Sequence, residues 1–163
     1  AAGTAVFGAD LVHRYALTRT WAPGGTHRAY VLLNPSTATA DQNDPTVRRL
    51  VGFAQRDGHG GLVLANLFGL RSTDPSFLTA PLDAVGPHND SMLELLAETA
   101  RDVTVGWGAW GRLRRAAVVE QALTAHGARL WSLGTTRTGH PRHPLYLPAN
   151  ATLQPYEPGA VAR

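Results

Sequence analysis

Residues 60–68, GGLVLANLF, decide the fold of this chain. The two glycines lead into a continuous apolar run, which is typical of a β-strand that is buried on both faces of a parallel sheet. Such a strand needs helices on both sides of the sheet, and segments with helical patterns precede and follow it in the sequence. The run therefore predicts an α/β fold with this strand near the centre of the sheet.

Two strand patterns precede this run. Residues 12–20, VHRYALTRT, alternate between polar and apolar positions, and residues 28–33, RAYVLL, form a second strand pattern. Pro23, Gly24 and Gly25 supply a turn between them. We expect these two strands to form an antiparallel hairpin at the start of the domain.

Helical and strand patterns then alternate three times. Asp44 and Pro45 fit the N-cap and first residue of a helix that Gly58 ends. Its buried stripe would contain Val47, Leu50, Val51 and Ala54. After residues 60–68, the patterns predict a helix from Asn89 or Asp90, a strand over 102–107, a helix over 112–126 and a strand over 129–133.

This order predicts a three-layer α/β sandwich. Its central sheet would be mostly parallel, with about four core strands, and the N-terminal hairpin would add an antiparallel strand. We expect a single domain over residues 1–163, with 149–163 as an irregular tail because this segment contains two prolines.

The composition excludes several classes of site. The chain contains no cysteine, so it has no disulfide framework, no thiolate zinc site and no cysteine-ligated iron–sulfur cluster. Its 15 basic residues are all arginine, and the net charge of +3 permits nucleic-acid binding without requiring it. No apolar stretch is long enough to span a membrane. We expect a cytoplasmic protein with no membrane association, no cofactor and no obligatory protein partner.

Three polar clusters directly follow predicted strands. They are residues 34–37 (NPST), Asn66, and residues 140–144 (HPRHP). Because ligands of open parallel sheets bind beyond the carboxyl ends of the strands, we expect these clusters to converge on one site. Asn34 and Asn66 each offer an amide donor and acceptor, which suits a nucleobase edge or a bound water. Alternatively, each asparagine caps a strand end or a turn.

The segment 140–144 carries the candidate histidines. Pro141 restrains the backbone next to His140, so its imidazole N–H could stabilise an anion that develops on a leaving group. The alternative is an ordinary solvent-facing loop histidine. His143 is the weaker candidate of the two.

Two carboxylates follow the first cluster. Asp41 or Asp44 could activate water as a general base, although helix capping alone explains Asp44. A metal site formed by these aspartates with His140 and His143 lacks a supporting helical spacing, so we expect no metal.

Residues 106–111, GWGAWG, resemble a dinucleotide-binding fingerprint only superficially, because tryptophans stand where the pyrophosphate would approach. We expect the glycines to allow tight packing of the turn, and Trp107 or Trp110 to wall the pocket or stack on a base. Arg112, Arg114 and Arg115 follow; they could form a solvated face or contact phosphate.

The ordered segments VLLNPSTA, VLANLFGLRSTDP, TVGWGAWG and GHPRHPLYL resemble a bacterial family called domain of unknown function 1643, over nearly the whole chain. More distantly, the same order resembles the uracil-DNA glycosylase superfamily. The second resemblance implies a uracil-DNA glycosylase-like fold, and DNA or a nucleoside or nucleotide as the substrate, with a role in base excision repair.

The glycosylase resemblance also implies residue roles. Asn34, within Asn34-Pro35-Ser36, would hold the attacking water, Asn66 would contact the base edge, and His140 would stabilise the departing base. Arg142 stands where the superfamily has serine, which changes the expected phosphate contact, and Leu145 or Tyr146 takes the place of the wedge residue. The candidates for base contact are Pro35, Ser36, Asn66, Trp107 and His143, and those for DNA contact are Ser36, Arg71, Arg112, Arg142, Leu145 and Tyr146.

Three functions remain open on the sequence. The first is a hydrolase of N-glycosidic bonds in DNA, nucleosides or nucleotides that uses Asn34, His140 and Asp41. The second is a nucleic-acid or nucleotide-binding module that keeps the pocket without the chemistry. The third is a metal-dependent hydrolase that uses Asp41 and Asp44.

Overall fold

The computed structural model describes residues 2–74, 83–109 and 114–159. Within these ranges the chain is an α/β protein with seven strands and three α-helices. In chain order they are β1 (Ala2–Phe7), β2 (Arg14–Thr20), β3 (His27–Leu32), α1 (Pro45–Arg56), β4 (Gly61–Asn66), α2 (Asn89–Thr99), β5 (Asp102–Val105), α3 (Arg114–Ala125), β6 (Arg129–Ser132), a 3₁₀ turn (Pro144–Tyr146) and β7 (Gln154–Pro155).

The strands form one mixed sheet in the order β1-β2-β4-β3-β5-β6-β7. The four strands β4, β3, β5 and β6 are mutually parallel, as expected for the core. The prediction of a mostly parallel sheet is nevertheless wrong, because β1, β2 and β7 add three antiparallel pairs at the two edges. Strand β1 is partly exposed and β7 has only two residues, so neither has the continuous apolar run that marks a core strand; β2 is mostly buried but mixes polar and apolar residues.

The predicted N-terminal hairpin is also wrong. Strands β2 and β3 do not pair; they lie on opposite sides of β4, whose Leu64 stands opposite Leu17 on one side and Tyr30 on the other. The connection between β2 and β3 crosses Gly60 at the start of β4, and a Cβ on Gly25 would lie 2.9 Å from the Cα of Gly60. The glycines that indicated a tight turn therefore allow one backbone to cross another.

Helix α1 begins as its sequence predicts. The Asp44 carboxylate accepts a hydrogen bond from the Val47 N–H at 2.8 Å, Pro45 is the first helical residue, and Gly58 follows the end of the helix with a φ of 85°. Val47, Leu50 and Ala54 are buried, Val51 is half-buried, and Phe53 joins the buried face. Helix α2 begins at Asn89, also as expected.

Alternate residues of β3 pack into two different clusters, so this strand is covered on both faces. Tyr30 and Leu32 pack with Val47 and Leu50 of α1. Ala29 and Val31 belong to the larger cluster, to which α2 and α3 contribute Leu93, Leu96, Ala97, Ala116, Val119 and Leu123. The described helices include none with the length and apolar character needed to cross a membrane.

The prediction of an irregular tail from residue 149 is wrong for part of that segment. Strand β7 pairs antiparallel with β6, and the following Tyr156 is buried. Its hydroxyl donates to the buried Glu120 carboxylate of α3 at 2.8 Å, and the Gly159 N–H donates to the second carboxylate oxygen at 2.9 Å. This segment has strand and core contacts despite its prolines.

Candidate functional site

A cavity of about 540 Å³ lies at the carboxyl ends of the parallel strands. All four core strands supply residues to it through the loops that follow them. The lining residues are Leu33, Asn34 and Ser36 after β3, Ser72 and Thr73 after β4, Trp107, Gly108 and Ala109 after β5, Thr136, Arg142, His143, Leu145, Tyr146 and Leu147 after β6, and Thr46 of α1. We call this space the strand-end cavity.

A larger cavity of about 790 Å³ lies near the amino ends of β3 and β5. Its lining includes His27, Arg28, His59 and Arg101 but contains none of the candidate residues from the sequence. The smaller cavity is the better candidate, because open parallel sheets bind ligands beyond their carboxyl ends.

Asn34 holds the first two loops of the strand-end cavity together. Its amide nitrogen donates to the carbonyl oxygens of Ser72 at 2.8 Å and Pro35 at 3.0 Å, and the Ser72 N–H donates to the Pro35 carbonyl. Its amide oxygen makes no hydrogen bond with any described residue, so it can accept one from a water or ligand. Pro35 is buried, and Ser36 lines the cavity next to Asn34.

Three arginines position the loop that contains Ser36. The buried Arg14 donates to the Ala38 carbonyl at 2.8 Å. Arg19 donates to the carbonyls of Thr39 and Gln42. Arg71 donates to the Ser36 carbonyl at 3.1 Å. Burial lowers the pKa of Arg14 to about 10, and the nearby Asp44 carboxylate opposes this shift.

Arg71 is a predicted DNA contact. Its guanidinium donates to the carbonyls of Ser36 and Thr37 and lies over the Phe7 ring, 5.2 Å from the ring centroid.

His143 lines the cavity as a neutral imidazole. Burial lowers the pKa of His143 to about 4, although the Asp44 carboxylate acts in the opposite direction. Its Nδ1 accepts a hydrogen bond from the Leu145 N–H at 3.2 Å, so the single proton of the neutral ring is on Nε2. His143 therefore offers one N–H donor that does not depend on pH near neutrality.

His140 and Asn66 are buried outside the described lining of the cavity. The backbone of His140 is fixed by two hydrogen bonds with Thr136, but its Nδ1 has no partner among the described residues. Neither atom of the Asn66 amide has a partner there. A buried polar group without a hydrogen bond costs about 1–3 kcal/mol, so these groups are candidates for contact with a water or ligand.

The turn after β5 packs tightly against the histidine-containing segment. A Cβ on Gly106 would lie 2.9 Å from Cδ of Pro144 and 3.0 Å from Cδ2 of Leu32, and the Gly108 N–H donates to the Pro141 carbonyl at 2.8 Å. Trp107 is among the residues that border the cavity, but its side chain is 1% exposed and packs in the core. Trp110 and Arg112 lie outside the described residues.

The remaining candidates divide between the cavity and the surrounding surface. Arg142, Leu145 and Tyr146 line the cavity, and the Tyr146 side chain is 82% exposed. Asp41 is exposed and is not among the lining residues. Asp44 is buried, and its carboxylate accepts hydrogen bonds from the N–H groups of Val47 and Ala38. In the described ranges, no group of three or more His, Asp or Glu side chains could hold a metal ion.

The model of a family described as "Protein of unknown function (DUF1643)" matches residues 14–145. The chain belongs to the DUF1643 family. The chain matches no curated protein and no solved structure. The matched region of this DUF1643 protein runs from β2 to Leu145, so it contains the three positioning arginines and almost all of the cavity lining.

Sequence reasoning missed several residues of the DUF1643 cavity. Thr46, Ser72, Thr73 and Thr136 supply most of its hydroxyl groups. Ser72 and Thr73 could have been found, because they follow a core strand as the chosen clusters do. No sequence pattern indicated that Arg14 and Arg19 position the loop, because both lie inside a strand with an ordinary alternating pattern.

Proposed function

We propose that this DUF1643 protein is a uracil-DNA glycosylase-like hydrolase that cleaves the N-glycosidic bond of a base in DNA or in a nucleoside or nucleotide. The observation that carries the proposal is the strand-end cavity, which brings a fixed asparagine, a neutral histidine and a tryptophan together where parallel strands end. Its volume lies within the range of small-molecule sites, which is about 300–1,000 Å³.

Each of these three groups has a role in the proposed reaction. Trp107 is 1% exposed and packs in the core against Tyr156, so its role is to support the cavity wall from behind. The free amide oxygen of Asn34 accepts a hydrogen bond from the attacking water, whose oxygen forms a bond to the anomeric carbon. The C–N bond breaks, its electron pair leaves with the base, and the Nε2–H of His143 donates a hydrogen bond to the departing anion. The water proton passes to solvent.

In this reaction His143 takes the anion-stabilising role that the resemblance gives to His140, because His143 lines the cavity. Asn66 remains a proposed contact for the base edge, since its unpaired donor and acceptor match such an edge. Asn66 is buried outside the lining, so this contact requires a rearrangement that brings the amide to the base.

Release of free base tests this function. The protein is incubated with nucleosides, nucleotides, and single-stranded and duplex oligonucleotides that contain uracil, hypoxanthine or mismatches, and the free base is measured by chromatography. We expect release from at least one substrate, with a loss of about 10²-fold or more in Asn34→Ala or His143→Gln. Arg101→Gln is the matched control, because Arg101 is exposed and lies outside the cavity. Absence of release from every substrate would refute the hydrolase.

One observation favours a second function, a nucleic-acid or nucleotide-binding module without chemistry. The described lining contains no carboxylate, and an asparagine cannot take a proton from water. The module predicts salt-dependent binding of nucleic acid or nucleotide that persists in His143→Gln, with no base released by the wild type. The two functions therefore differ in one result: the wild-type hydrolase releases free base, and the wild-type binding module does not.

A further inference from the structure

A second concavity lies along α1, separate from the strand-end cavity. It encloses about 330 Å³ and is lined by Gly52, Phe53, Ala149 and the three arginines Arg48, Arg49 and Arg56. A Cβ on Gly52 would meet no atom within 4 Å, so the space above this turn of the helix is open. We call this feature the arginine concavity.

Two of its three positive charges have no ion-pair partner within residues 2–74, 83–109 and 114–159. Arg56 pairs with Asp57 and also donates to the carbonyls of Ala149 and Ala151. No carboxylate of the described residues forms an ion pair with Arg48 or Arg49. Helix α1 contains no acidic residue that could neutralise them. The concavity therefore carries a net positive charge.

Arg49 is held in place, and it makes no hydrogen bond with the residues that the structure describes. Its guanidinium lies over the Phe53 ring, 5.4 Å from the centroid, and its Nε–H is buried without a partner in the described part of the chain. Arg48 makes one hydrogen bond, to the Asn43 carbonyl at 3.1 Å. Planar guanidinium groups with free N–H donors match the oxygen atoms of phosphate.

We propose that the arginine concavity binds a phosphate group, with Arg49 as the main contact and Arg48 as the second. It adjoins the strand-end cavity along the chain: Thr46 and Leu147 line that cavity, whereas Arg48, Arg49 and Ala149 line the concavity. The phosphate could belong to a nucleic-acid backbone or to a small free anion. Binding at this site requires no cleavage of a glycosidic bond.

Nuclear magnetic resonance of the arginine Nε–H groups tests the proposal. The full chain is titrated with inorganic phosphate and, separately, with a duplex oligonucleotide, both at constant ionic strength. We expect the Arg49 resonance to shift and saturate in at least one titration, with affinity reduced about tenfold in the double variant Arg48→Gln/Arg49→Gln. Arg49→Lys should retain part of the binding, and Arg101→Gln, which removes an exposed charge elsewhere, should retain all of it.

The two titrations separate the sources of the phosphate. Saturation with inorganic phosphate alone identifies a free anion, and saturation with the duplex alone identifies the nucleic-acid backbone; either result supports the site. No saturation in either titration overturns the proposal, as does equal loss of affinity in the double variant and in Arg101→Gln. A circular-dichroism melting curve confirms that the variants are folded. Because the readout is binding, an absence of base release would leave this result unaffected.

Discussion

His143 differs from an ordinary loop histidine in its surroundings. Proline follows both His140 and His143, and each lies within residues 140–144, so local sequence does not show which ring lines the cavity. The difference arises from contacts: His143 faces the strand-end cavity and accepts the Leu145 N–H, whereas His140 is buried outside the lining. Local sequence located the histidine segment, and tertiary packing determines which ring a ligand in the cavity meets.

The lowered pKa of His143 predicts a dependence of stability on pH. The folded state keeps this ring neutral down to a pH of about 4, while the unfolded chain protonates it near its ordinary value of 6.5. The unfolded state therefore binds more protons between these values, and the contribution of this group to the free energy of unfolding falls as the pH decreases from 6.5 towards 4.

Urea unfolding of the wild type and His143→Gln between pH 4 and pH 7 measures this contribution. We expect the wild type to lose more stability than the variant as the pH falls, because glutamine does not titrate. Parallel curves for the two proteins would show that His143 has no shifted pKa.

At the scale of elements, the sequence predicted the three helices and the four core strands because each has a strong local signal. Asp44-Pro45 and Gly58 mark the ends of α1, and the apolar residues 62–68 mark β4. Strand pairing was not predictable in the same way. Leu17 and Tyr30 both stand opposite Leu64, and no local pattern shows that β4, which comes later in the chain, inserts between β2 and β3.

The cap of α1 supports a prediction at this scale. The Asp44 carboxylate accepts the N–H groups of Val47 and Ala38, so Asp44→Ala removes the helix cap and a contact to the loop before it. We expect a loss of about 1–2 kcal/mol in the free energy of unfolding, measured in urea. Asp41→Ala is the comparison, because this exposed carboxylate caps nothing and should change stability by less than about 0.5 kcal/mol. Equal losses would show that the cap does not contribute.

For the whole molecule, the sequence predicted the α/β class and the candidate site at the carboxyl ends of the parallel strands. It did not predict the outermost strands of the sheet. The sequence patterns do not predict β1, and Pro155 and Pro158 indicate an irregular segment after residue 149. The buried Tyr156 anchors that segment to Glu120 of α3, a contact over 36 residues that no local pattern indicates.

Removal of this anchor should affect the stability of the whole protein. Tyr156→Phe deletes the hydroxyl that donates to Glu120 and leaves a buried carboxylate with the Gly159 N–H as its remaining described partner. We expect a cost of about 1–3 kcal/mol, seen as a decrease of several degrees in Tm by calorimetry. Tyr146→Phe is the matched control, because the Tyr146 side chain is 82% exposed. An unchanged Tm in Tyr156→Phe would show that the hydrogen bond adds no net stability.

The proposed function requires a nucleobase to bind in the strand-end cavity. A crystal structure of the protein soaked with a nucleobase shows where the base binds. We expect the base in this cavity, with a hydrogen bond from the Nε2–H of His143 to the base and the Asn66 amide as the contact for the base edge. A base bound elsewhere on the molecule, or a strand-end cavity that stays without base at saturating concentration, would contradict it.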